Sequence, residues 1–332
     1  MTDVSVIVVS YNTRALTLAC LAALEASRTD RTSFDIVVLD NASQDGSPDA
    51  IATTFPDVTL IRLDENVGWG RGVNRAVAAS DAEYLLLLNP DTEPVGNVID
   101  DLLQFARAHF GHGLYTGRTL RLDGSDDGHS CWGLPSLWSY LCFATGLSTV
   151  LRGQAWANPE GLVGYDRRGV REVPAVSGCM MLVQRDLFLN LHGFDPRYFM
   201  YSEDIDLSAR ALRAGVRPLV TPDAMVKHIG GASSSSGGQR VSTLRGKTTY
   251  VRLHWSPGRA RLGVALLAGG VGLRAVCGLI VRLLRGRGGR DARTSWEHAW
   301  RERRVWLAGW PAVDEPRPGQ PRSFEERCAT AA

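Results

Sequence analysis

Paired cysteines and an N-terminal leader are both missing from this sequence of 332 residues. The six cysteines are scattered and no two form a CxxC pair, so the pattern typical of a zinc site or a disulfide framework is absent. Unpaired thiols are the rule in a reducing compartment, and we therefore expect a cytoplasmic protein. The N-terminus has no basic stretch followed by an apolar one, which predicts that the chain carries no signal peptide.

Long apolar runs are scarce as well. The two longest candidates, Leu262–Leu273 and Ala275–Val281, are separated by Arg274. Neither approaches the roughly 20 residues that a membrane-spanning helix needs, and a central arginine opposes spanning. Nine arginines lie between residues 252 and 293, against a single acid. We expect either a basic amphipathic helix at a membrane surface, through residues 252–293, or a helix packed on the protein with a solvated basic face. The region forms no recognisable nucleic-acid-binding module, so no nucleic-acid partner is expected.

The chain does have a regular alternation of strand and helix patterns in its first 110 residues. Its composition, 44% hydrophobic and 22% charged, is ordinary for a globular protein. The strand patterns are Val4–Ser10, Asp35–Asp40, Val58–Leu63 and Tyr84–Asn89, and the helix patterns are Ala15–Ser27, a short helix from Ser47, Val73–Ser80 and Val98–His109. This alternation predicts an α/β fold in which helices flank a mainly parallel sheet.

The second half of the chain is less regular. From Leu122 to Val170 the pattern is lost, and we expect a long irregular excursion. Order returns at Val173–Gln184, at a helix near Ser202 and at a last strand, Val216–Thr221. Gly230–Gly238 is predicted to be a flexible loop, and the proline-containing tail is predicted to have little order. The predicted division is a main domain of residues 1–238, with halves at about 1–110 and 111–238, a helical basic extension of 239–310 and a tail of 311–332.

Polar side chains follow the ends of two predicted strands. The leucines of residues 85–88 predict a strand buried on both faces, and the chain then runs into Asn89, Pro90 and Asp91. The second strand ends at Asp40, which Asn41 follows. Because the carboxyl ends of parallel strands form the ligand crevice of open α/β sheets, these residues are candidates for ligand binding. A polar turn that caps the next helix is the structural alternative.

A glycine-rich segment with two arginines follows the third predicted strand. It contains Gly68, Trp69 and Gly70, with Arg71 and Arg75 nearby. The segment differs from a dinucleotide fingerprint because it does not follow the first strand and lacks the final glycine. A glycine-rich backbone at a helix N-terminus beside arginines suits a pyrophosphate or the edge of a nucleotide.

A cluster of acids opens the helix near Ser202, which is the expected N-cap. The acids are Glu203, Asp204 and Asp206. Acids near a helix N-terminus are favoured by the helix dipole, which is the structural interpretation. Aromatic residues precede the cluster, however, and a carboxylate beside an apolar wall is desolvated enough to act as a general base. His228, after the last predicted strand, is either a metal ligand or a structural histidine.

Taken together, these clusters resemble the nucleotide-sugar-dependent glycosyltransferases of family 2, in their rhamnosyltransferase-like branch. The matching elements stand in order between Val4 and Gly231: Val6 to Asn12, Leu39 to Ser43, Asn66 to Gly70, Leu88 to Asp91, Ser177-Gly178, Glu203 to Asp206, and His228. The resemblance implies a GT-A fold, in which the strand ends of a Rossmann-like sheet bind the nucleotide and an acceptor-binding half follows.

The resemblance also implies roles for particular residues. Asp40 would contact the pyrimidine base, and Asp204 would be the catalytic base beside Glu203. Asp91 would hold Mg²⁺ or Mn²⁺ against the diphosphate, and His228 would contact the metal or the phosphate. Asn89 stands where many members have a second acid, so Asp91 is the one obvious carboxylate ligand of that element. The other residues of the implied nucleotide-sugar site are Ser10, Tyr11, Asn12, Asn41, Gly68, Trp69, Gly70, Asn74, Asn89, Ser177 and Gly178.

We expect an inverting hexosyltransferase that moves L-rhamnose from a dTDP-sugar to the hydroxyl of a lipid-linked or cell-envelope glycan, in the cytoplasm or at the inner face of the plasma membrane. A UDP- or GDP-sugar donor with a polysaccharide or small-molecule acceptor is the alternative. A nucleotidyltransferase would need a phosphate-binding loop after the first strand, where residues 10–13 stand instead. The non-enzyme alternative is an inactive nucleotide-sugar-binding module, and the retained acids of residues 203–206 argue against it.

Overall fold

The computed structural model describes residues 2–229, 236–285 and 292–319. The strands are β1 (Val4–Ser10), β2 (Phe34–Asp40), β3 (Thr59–Arg62), β4 (Tyr84–Leu88), β5 (Thr92–Val95), β6 (Leu114–Leu120), β7 (Cys131–Trp132), β8 (Arg171–Glu172), β9 (Ala175–Val176), β10 (Met180–Gln184) and β11 (Leu219–His228). The α-helices are α1 (Arg14–Ala26), α2 (Ser47–Thr54), α3 (Trp69–Val77), α4 (Val98–Ala108), α5 (Leu137–Thr145), α6 (Leu147–Val150), α7 (Arg185–Asn190), α8 (Glu203–Arg213), α9 (Ser236–His254), α10 (Pro257–Arg285), α11 (Ala292–Arg301) and α12 (Arg303–Ala308).

The first half of the chain forms the parallel part of the central sheet. Its strands lie in the order β3-β2-β1-β4, and every neighbouring pair is parallel. The leucines of β4 alternate between two cores. Leu86 and Leu88 pack with α1 and α4, whereas Leu85 and Leu87 pack on the side of α3. The predicted α/β fold, with helices on both faces of the sheet, is therefore confirmed.

The sheet continues as β4-β10-β6-β11-β5, and here antiparallel pairs enter. The predicted strand Val173–Gln184 is in fact two strands, β9 and β10, and β10 runs antiparallel to both β4 and β6. Strand β11 continues well beyond the predicted end at Thr221, with an irregularity of register between Val220 and Met225. A proline and an aspartate fall at that irregularity and conceal the continuation of the strand. His228 is thus the last residue of β11 and does not follow the strand.

The prediction of an irregular excursion from Leu122 to Val170 is wrong for its central part, which contains β7, α5 and α6. Ser136 caps α5, since its hydroxyl accepts a hydrogen bond from the backbone N–H of Ser139. Apolar side chains lie on more than one face of α5: Tyr140 is buried, whereas Trp138 is 48% exposed. The helical period is therefore invisible in the sequence, because no one-sided apolar stripe exists.

The C-terminal extension is helical, as predicted, and has a core of its own. This core joins residues of α9, α10, α11 and α12 to α5 and α8; its buried members include Tyr140, Ala209, Leu244, Val251, Leu267 and Trp306. The extension therefore packs on the catalytic half through the same helix, α5, that the sequence pattern missed.

Helix α10 is continuous through Arg274, which interrupts the apolar run but not the helix. Arg274 donates to the carbonyl oxygen of Phe143 (2.6 Å) and to Thr149 Oγ1 (2.8 Å), and its guanidinium lies 3.9 Å from the centroid of the Phe143 ring. These contacts with α5 and α6 satisfy the charge. The helix from Pro257 to Leu284 reaches a mean hydropathy of 2.1 with 28% of that window buried, so by length and composition it can cross a membrane.

The first nine residues after residue 310 pair with residues from both predicted halves of the main domain. Glu315 pairs with Arg71 (3.4 Å) and Arg75 (2.9 Å), and Arg317 pairs with Asp195 (2.5 Å). These contacts hold residues 311–319 where the sequence predicted little order. Residues 230–235 of the predicted glycine–serine loop, 286–291 of the basic stretch and 320–332 of the tail lie outside the described residues, while residues 236–238 begin α9.

Candidate active site

The carboxyl ends of β1 and β2 place Ser10 and Asp40 side by side, since the two residues are partners in the sheet register. Asp40 is buried, and its Oδ1 accepts a hydrogen bond from the N–H of Ser43 (2.9 Å). Its Oδ2 is buried and has no hydrogen-bond partner among the residues that the structure describes. An unpartnered buried carboxylate oxygen is costly unless a ligand donor reaches it. This geometry suits the predicted contact of Asp40 with a base N–H.

Three other residues of the implied site, Ser10, Tyr11 and Asn12, lie at this end of the sheet. Ser10 Oγ lies 3.0 Å from Thr17 Oγ1 inside the core. Asn12 has a left-handed φ of 53°, and its side-chain oxygen accepts from the N–H of Gln44 (2.8 Å). Asn12 therefore fixes the turn that follows β2, while the Tyr11 side chain is 37% exposed beside it and free to cover a ligand.

The glycine-rich segment forms the start of helix α3, four residues earlier than the sequence pattern predicted. Gly68 has a φ of 89°, and a Cβ there would lie 2.2 Å from the carbonyl oxygen of Phe199, so only glycine fits. The N–H of Trp69 donates to that same oxygen (3.0 Å). The Trp69 ring packs against Gly178, where a Cβ would lie 2.6 Å from the indole. The segment thus joins the nucleotide half to the residues that precede the catalytic acids.

Two asparagines of the implied site use their side-chain amides in hydrogen bonds within the protein. Asn41 donates to Asn66 Oδ1 (2.9 Å) and accepts from the N–H of Val67 (2.9 Å). Asn74 donates to the carbonyl of Phe194 (2.8 Å) and accepts from its N–H (2.9 Å). Both amides hold the turns around α3, and their assignment as direct contacts of the nucleotide sugar stays a prediction. The two arginines that the sequence suggested for a pyrophosphate pair with Glu315 instead.

Asp91 and His228 lie together, because strand β11 ends beside the segment that joins β4 to β5. His228 ends β11, and the next backbone N–H, of Ile229, donates to the carbonyl of Asp91 (3.0 Å). His228 Nε2 lies 3.6 Å from Asp91 Oδ1. Its other ring nitrogen lies 3.4 Å from Asp127 Oδ2. Burial opposes a charged imidazole, but the hydrogen bonds to Asp127, Asp91 and Cys179 outweigh it and raise the pKa of His228 to about 12.

Asp127 and His129 belong to this cluster, and sequence reasoning missed both. Burial disfavours the charged carboxylate of Asp127, yet the hydrogen bonds from His129, His228 and Thr119 hold its pKa well below the usual range. Both residues lie in the region without a helical or strand period. The signal that could have found them is the local spacing Asp127-Gly-His129, in which an acid and a histidine lie two residues apart.

The cluster fits a divalent cation. One ligand atom each from Asp127, His129 and His228 lies within 4.8 Å of the others, and Asp91 touches the same histidine. Carboxylate oxygens suit Mg²⁺, and Mn²⁺ accepts carboxylate together with imidazole. The implied cation ligands Asp91 and His228 are therefore together, and Asn89 lies half-buried two residues before Asp91.

The acids of helix α8 have three different environments. Glu203 is buried, and its Oε2 has no partner within the described ranges; burial and the neighbouring charge of Asp204 raise its pKa to about 8. Asp204 is half-buried and accepts from the N–H of Gly178 (3.1 Å) and of Ile205 (2.8 Å), while burial raises its pKa. Asp206 is buried in ion pairs with Arg210 (2.8 Å) and His254 (2.6 Å). Ser202 occupies the N-cap position, but its φ is 73° and its side chain makes no capping bond.

Gly178 links the two sides of the site. Its N–H reaches Asp204, and the carbonyl of the next residue, Cys179, accepts from the N–H of Asn89 (3.1 Å) at the end of β4. The cation ligand Asp91 is two residues further on. Two backbone hydrogen bonds in adjacent residues therefore connect the candidate base to the candidate cation site. Asp204 keeps its exposed portion for a substrate hydroxyl, and its raised pKa makes it a better proton acceptor than an ordinary aspartate.

Comparisons with known proteins agree with this arrangement. The model of glycosyl transferase family 2 matches residues 5–191. The N-acetylglucosaminyl-diphospho-decaprenol L-rhamnosyltransferase of Mycobacterium tuberculosis strain H37Rv is 32% identical over 271 residues, which are 76% of this chain and 85% of the relative. Rhamnosyltransferase WbbL of Escherichia coli K12 is 32% identical over 162 residues, which are 45% of this chain and 56% of that protein.

Solved structures show the same fold at low identity. Residues 1–349 of TarS from S. aureus match with a TM-score of 0.50 at 15% identity, covering 90% of this chain and 78% of that one. GalNAc-T7, solved with UDP, GalNAc and Mn²⁺, matches with a TM-score of 0.55 at 15% identity, covering 76% of this chain and 48% of that one. The resemblance found in the sequence is confirmed. The chain belongs to glycosyl transferase family 2 and is a glycosyltransferase with the GT-A fold.

Proposed function

We propose that this glycosyltransferase moves L-rhamnose from dTDP-L-rhamnose to a hydroxyl of a lipid-linked glycan, with inversion at the anomeric carbon. The two relatives reported above are named as rhamnosyltransferases, and the name of one describes a diphospho-decaprenol acceptor. The observation that carries the proposal is the link between Asp204 and the end of β4. The Gly178 N–H donates to Asp204, and the carbonyl of the next residue, Cys179, accepts from the N–H of Asn89, two residues before Asp91.

In this proposal, different residues bind the nucleoside, hold the cation and accept the proton. Asp40 Oδ2, buried and without a partner in the described part of the chain, accepts the base N–H and so fixes the nucleoside. Asp91 and His228, with Asp127 behind the histidine, would hold Mg²⁺ or Mn²⁺, which would neutralise the charge that grows on the departing diphosphate. Asp204 takes the proton from the acceptor hydroxyl. A base and a leaving group on opposite sides of the sugar give a single displacement, so no covalent sugar–enzyme intermediate is needed.

In this proposal Glu203 does not accept the proton from the acceptor hydroxyl, although it lies next to Asp204 in the chain. Burial and the neighbouring Asp204 raise the pKa of Glu203 to about 8, so Glu203 is the acid of the pair that we expect to hold a proton at neutral pH. Two adjacent carboxylates in one buried site cannot both ionise easily. We propose that Glu203 stabilises the start of α8 as a neutral acid beside Gly70, whose Cβ position would lie 3.6 Å from the Glu203 Cβ.

A lipid-linked acceptor lies in a membrane, and contact with that membrane would explain why one face of α10 is apolar and exposed. Exposed large apolar side chains concentrate in its C-terminal half: Leu273, Val276, Leu279, Ile280, Leu283 and Leu284. Arg282 lies among them. We propose that residues 252–293 contact the cytoplasmic face of the membrane, where apolar side chains enter the headgroup zone and arginines meet anionic lipids.

A transfer assay with the purified protein tests the proposal. Radiolabelled dTDP-L-rhamnose and N-acetylglucosaminyl-diphospho-polyprenol are incubated with Mn²⁺, and the anomeric configuration of the product is read by NMR. We expect transfer with inversion, and no transfer by Asp204→Asn. The matched control is Asp81→Asn, which removes an exposed carboxylate outside the site. Retention of configuration would contradict the single displacement.

The choice of nucleotide is tested separately by thermal unfolding with dTDP, UDP or GDP. A ligand that binds the folded protein raises the midpoint by mass action. We expect the largest rise with dTDP. A larger rise with UDP or GDP would support the alternative donors, and nucleotide binding without transfer to any tested acceptor would support an inactive binding module.

A further inference from the structure

The chain turns back after strand β6, and residues 126 and 127 run alongside the end of that strand. Asp126 lies opposite Leu120 in an antiparallel bridge, and the N–H of Asp127 donates to the carbonyl of Thr119 (3.0 Å). Successive side chains of an extended segment point to opposite faces. The carboxylate of Asp127 contacts the Thr119 hydroxyl and His228. Asp126 therefore lies on the other face, behind the cation cluster, and no step described above uses it.

Two arginines approach the carboxylate of Asp126. The Nε of Arg118 donates to Oδ2 (3.2 Å), and the Nε of Arg167 lies 4.0 Å from Oδ1. The N–H of Gly128 donates to the same Oδ1 (2.8 Å). Asp126 thus joins two cationic side chains to the backbone of residues 126–129. These four residues, the cation turn, supply two members of the cation cluster.

Arg167 also binds the cation turn directly. Its Nη2 donates to the carbonyl of Gly128 (2.9 Å), and its Nη1 donates to the carbonyl of Tyr165 (3.1 Å). Gly128 lies between Asp127 and His129 and has a left-handed φ of 76°. A hydrogen bond to this peptide therefore fixes the direction in which both neighbouring side chains leave the turn. The Arg167 side chain is 8% exposed, so solvent screens these contacts little.

The position of Arg167 is costly for the folded protein. Its φ is 58°, in the left-handed region that residues with a Cβ rarely adopt. Its Nε is buried and has no hydrogen-bond partner among the residues that the structure describes. Asp126, the carboxylate that it approaches, is already bound by Arg118. Strained backbone is concentrated at functional sites, and an apolar side chain would avoid the buried charge. Stability alone therefore does not explain an arginine at residue 167.

We propose that Arg167 is a positioning residue, which holds the cation turn so that Asp127 and His129 face the cation. Arg118 assists through Asp126, on the same side of the turn. The inference rests on the proposed function, because it concerns the cation of that site, but it adds residues that lie behind the cluster. Groups behind metal ligands fix the orientation of those ligands and so raise the affinity for the metal.

Binding of Mn²⁺ to the full chain, measured by electron paramagnetic resonance with dTDP present, tests this inference without sugar transfer. We expect binding to wild type and about tenfold weaker binding to Arg167→Met, which loses the hydrogen bond to Gly128. The same variant should bind dTDP in EDTA as wild type does. Its free energy of unfolding in urea should stay close to that of wild type, because Asp126 keeps Arg118.

The matched control is Arg168→Met. This variant removes the neighbouring arginine, which is exposed, and it should bind Mn²⁺ as wild type does. Wild-type Mn²⁺ affinity in a folded Arg167→Met would overturn the inference, as would an equal loss of affinity in Arg168→Met.

Arg167→Lys separates orientation of the turn from buried charge. Lysine keeps a positive charge beside Asp126, but a single ammonium lacks the fork that reaches both Gly128 and Tyr165. We expect a folded protein whose Mn²⁺ affinity lies between those of wild type and Arg167→Met. If Arg167→Met does not fold, the lysine variant decides: weaker Mn²⁺ binding supports the inference, and wild-type binding overturns it.

The other two measurements identify a purely structural role. A parallel fall of Mn²⁺ affinity, metal-free dTDP affinity and free energy of unfolding in Arg167→Met would overturn the inference. Wild type that binds no Mn²⁺ in the presence of dTDP would overturn it as well. The expected Mn²⁺ results without rhamnose transfer would count against the proposed function and leave the role of Arg167 in place.

Discussion

The donor side and the acceptor side of the crevice are built in different ways. On the donor side, Asp40 and Asp91 follow parallel strands, and their positions result from the order of the strands in the sheet. On the acceptor side, Asp204 lies at the start of a helix whose position depends on contacts with three distant segments: Gly178, Phe199 with Gly68, and α9. A strand end is placed by regular structure, whereas the base is placed by specific long-range contacts.

The largest expected effect is on the free energy of unfolding, and it concerns the contact between α8 and α9 on the acceptor side. Asp206 is buried with His254 and Arg210 around it. Asp206→Asn leaves the buried guanidinium of Arg210 without its carboxylate and alters the hydrogen bond to His254, and we expect it to lower the free energy of unfolding by about 3 to 5 kcal/mol. Urea unfolding measures this, with the exposed Asp223→Asn as the control, for which about 0.5 kcal/mol or less is expected. An equal effect of both variants would show that α9 does not hold the base.

The second effect tests the cation cluster of the donor side. We expect Asp91→Ala to weaken Mn²⁺ binding, measured by electron paramagnetic resonance in the presence of dTDP. Asp127→Asn, which alters the residue behind His228, should weaken it by about 10- to 100-fold, the range typical of groups that orient a ligand. Stronger loss from Asp127→Asn than from Asp91→Ala would make Asp127 the main ligand and reverse the assignment.

The third prediction is a pH dependence of stability on the acceptor side. The pKa of Glu203 is raised to about 8 in the folded protein, so the folded state holds a proton that the unfolded state has lost above the ordinary glutamate pKa of 4.5. Stability should therefore fall as pH rises between these two values. Urea unfolding at pH 5 and pH 8 should show a larger decrease for wild type than for Glu203→Gln, which stays neutral. Identical decreases would contradict a protonated Glu203.

The smallest effect concerns the segment after residue 310. Glu315 pairs with Arg71 and Arg75, but these side chains are partly solvent-exposed, so Glu315→Ala should change the free energy of unfolding by about 1 kcal/mol or less. The same variant frees both arginines beside the glycine-rich start of α3. We expect the affinity for dTDP, measured by calorimetry, to rise modestly in Glu315→Ala. A fall would show that the segment assists the donor site.

The sequence predicts the donor side well because local pattern and position coincide there. The leucines of β4 are buried on both faces, as their run predicts, and the polar residues that follow them lie at the crevice. Asp127 and His129 could not be placed from the sequence, since they come from a region without period and are positioned by contacts of Asp127 with Thr119 of β6 and His228 of β11. Helix α5 could not be predicted for a related reason. Its apolar residues lie both in a core and on an exposed surface, so they form no one-sided stripe.

The extension shows a second limit of sequence reasoning. In the sequence, Arg274 indicates only a charge that opposes a membrane span, whereas in the structure its guanidinium is satisfied by the backbone of Phe143 and by its ring. Such compensation depends on a partner more than a hundred residues away in the chain, so local hydropathy does not show it. The pairing of Glu315 with α3 is concealed in the same way.

The turnover of Asp204→Asn tests the central claim most directly. Asparagine keeps the shape of the side chain and its ability to accept from the Gly178 N–H, but it cannot take a proton. The account predicts that kcat for rhamnosyl transfer falls by about 100- to 10 000-fold while the affinity for dTDP remains that of wild type. Near-normal turnover in Asp204→Asn would contradict the assignment of the base.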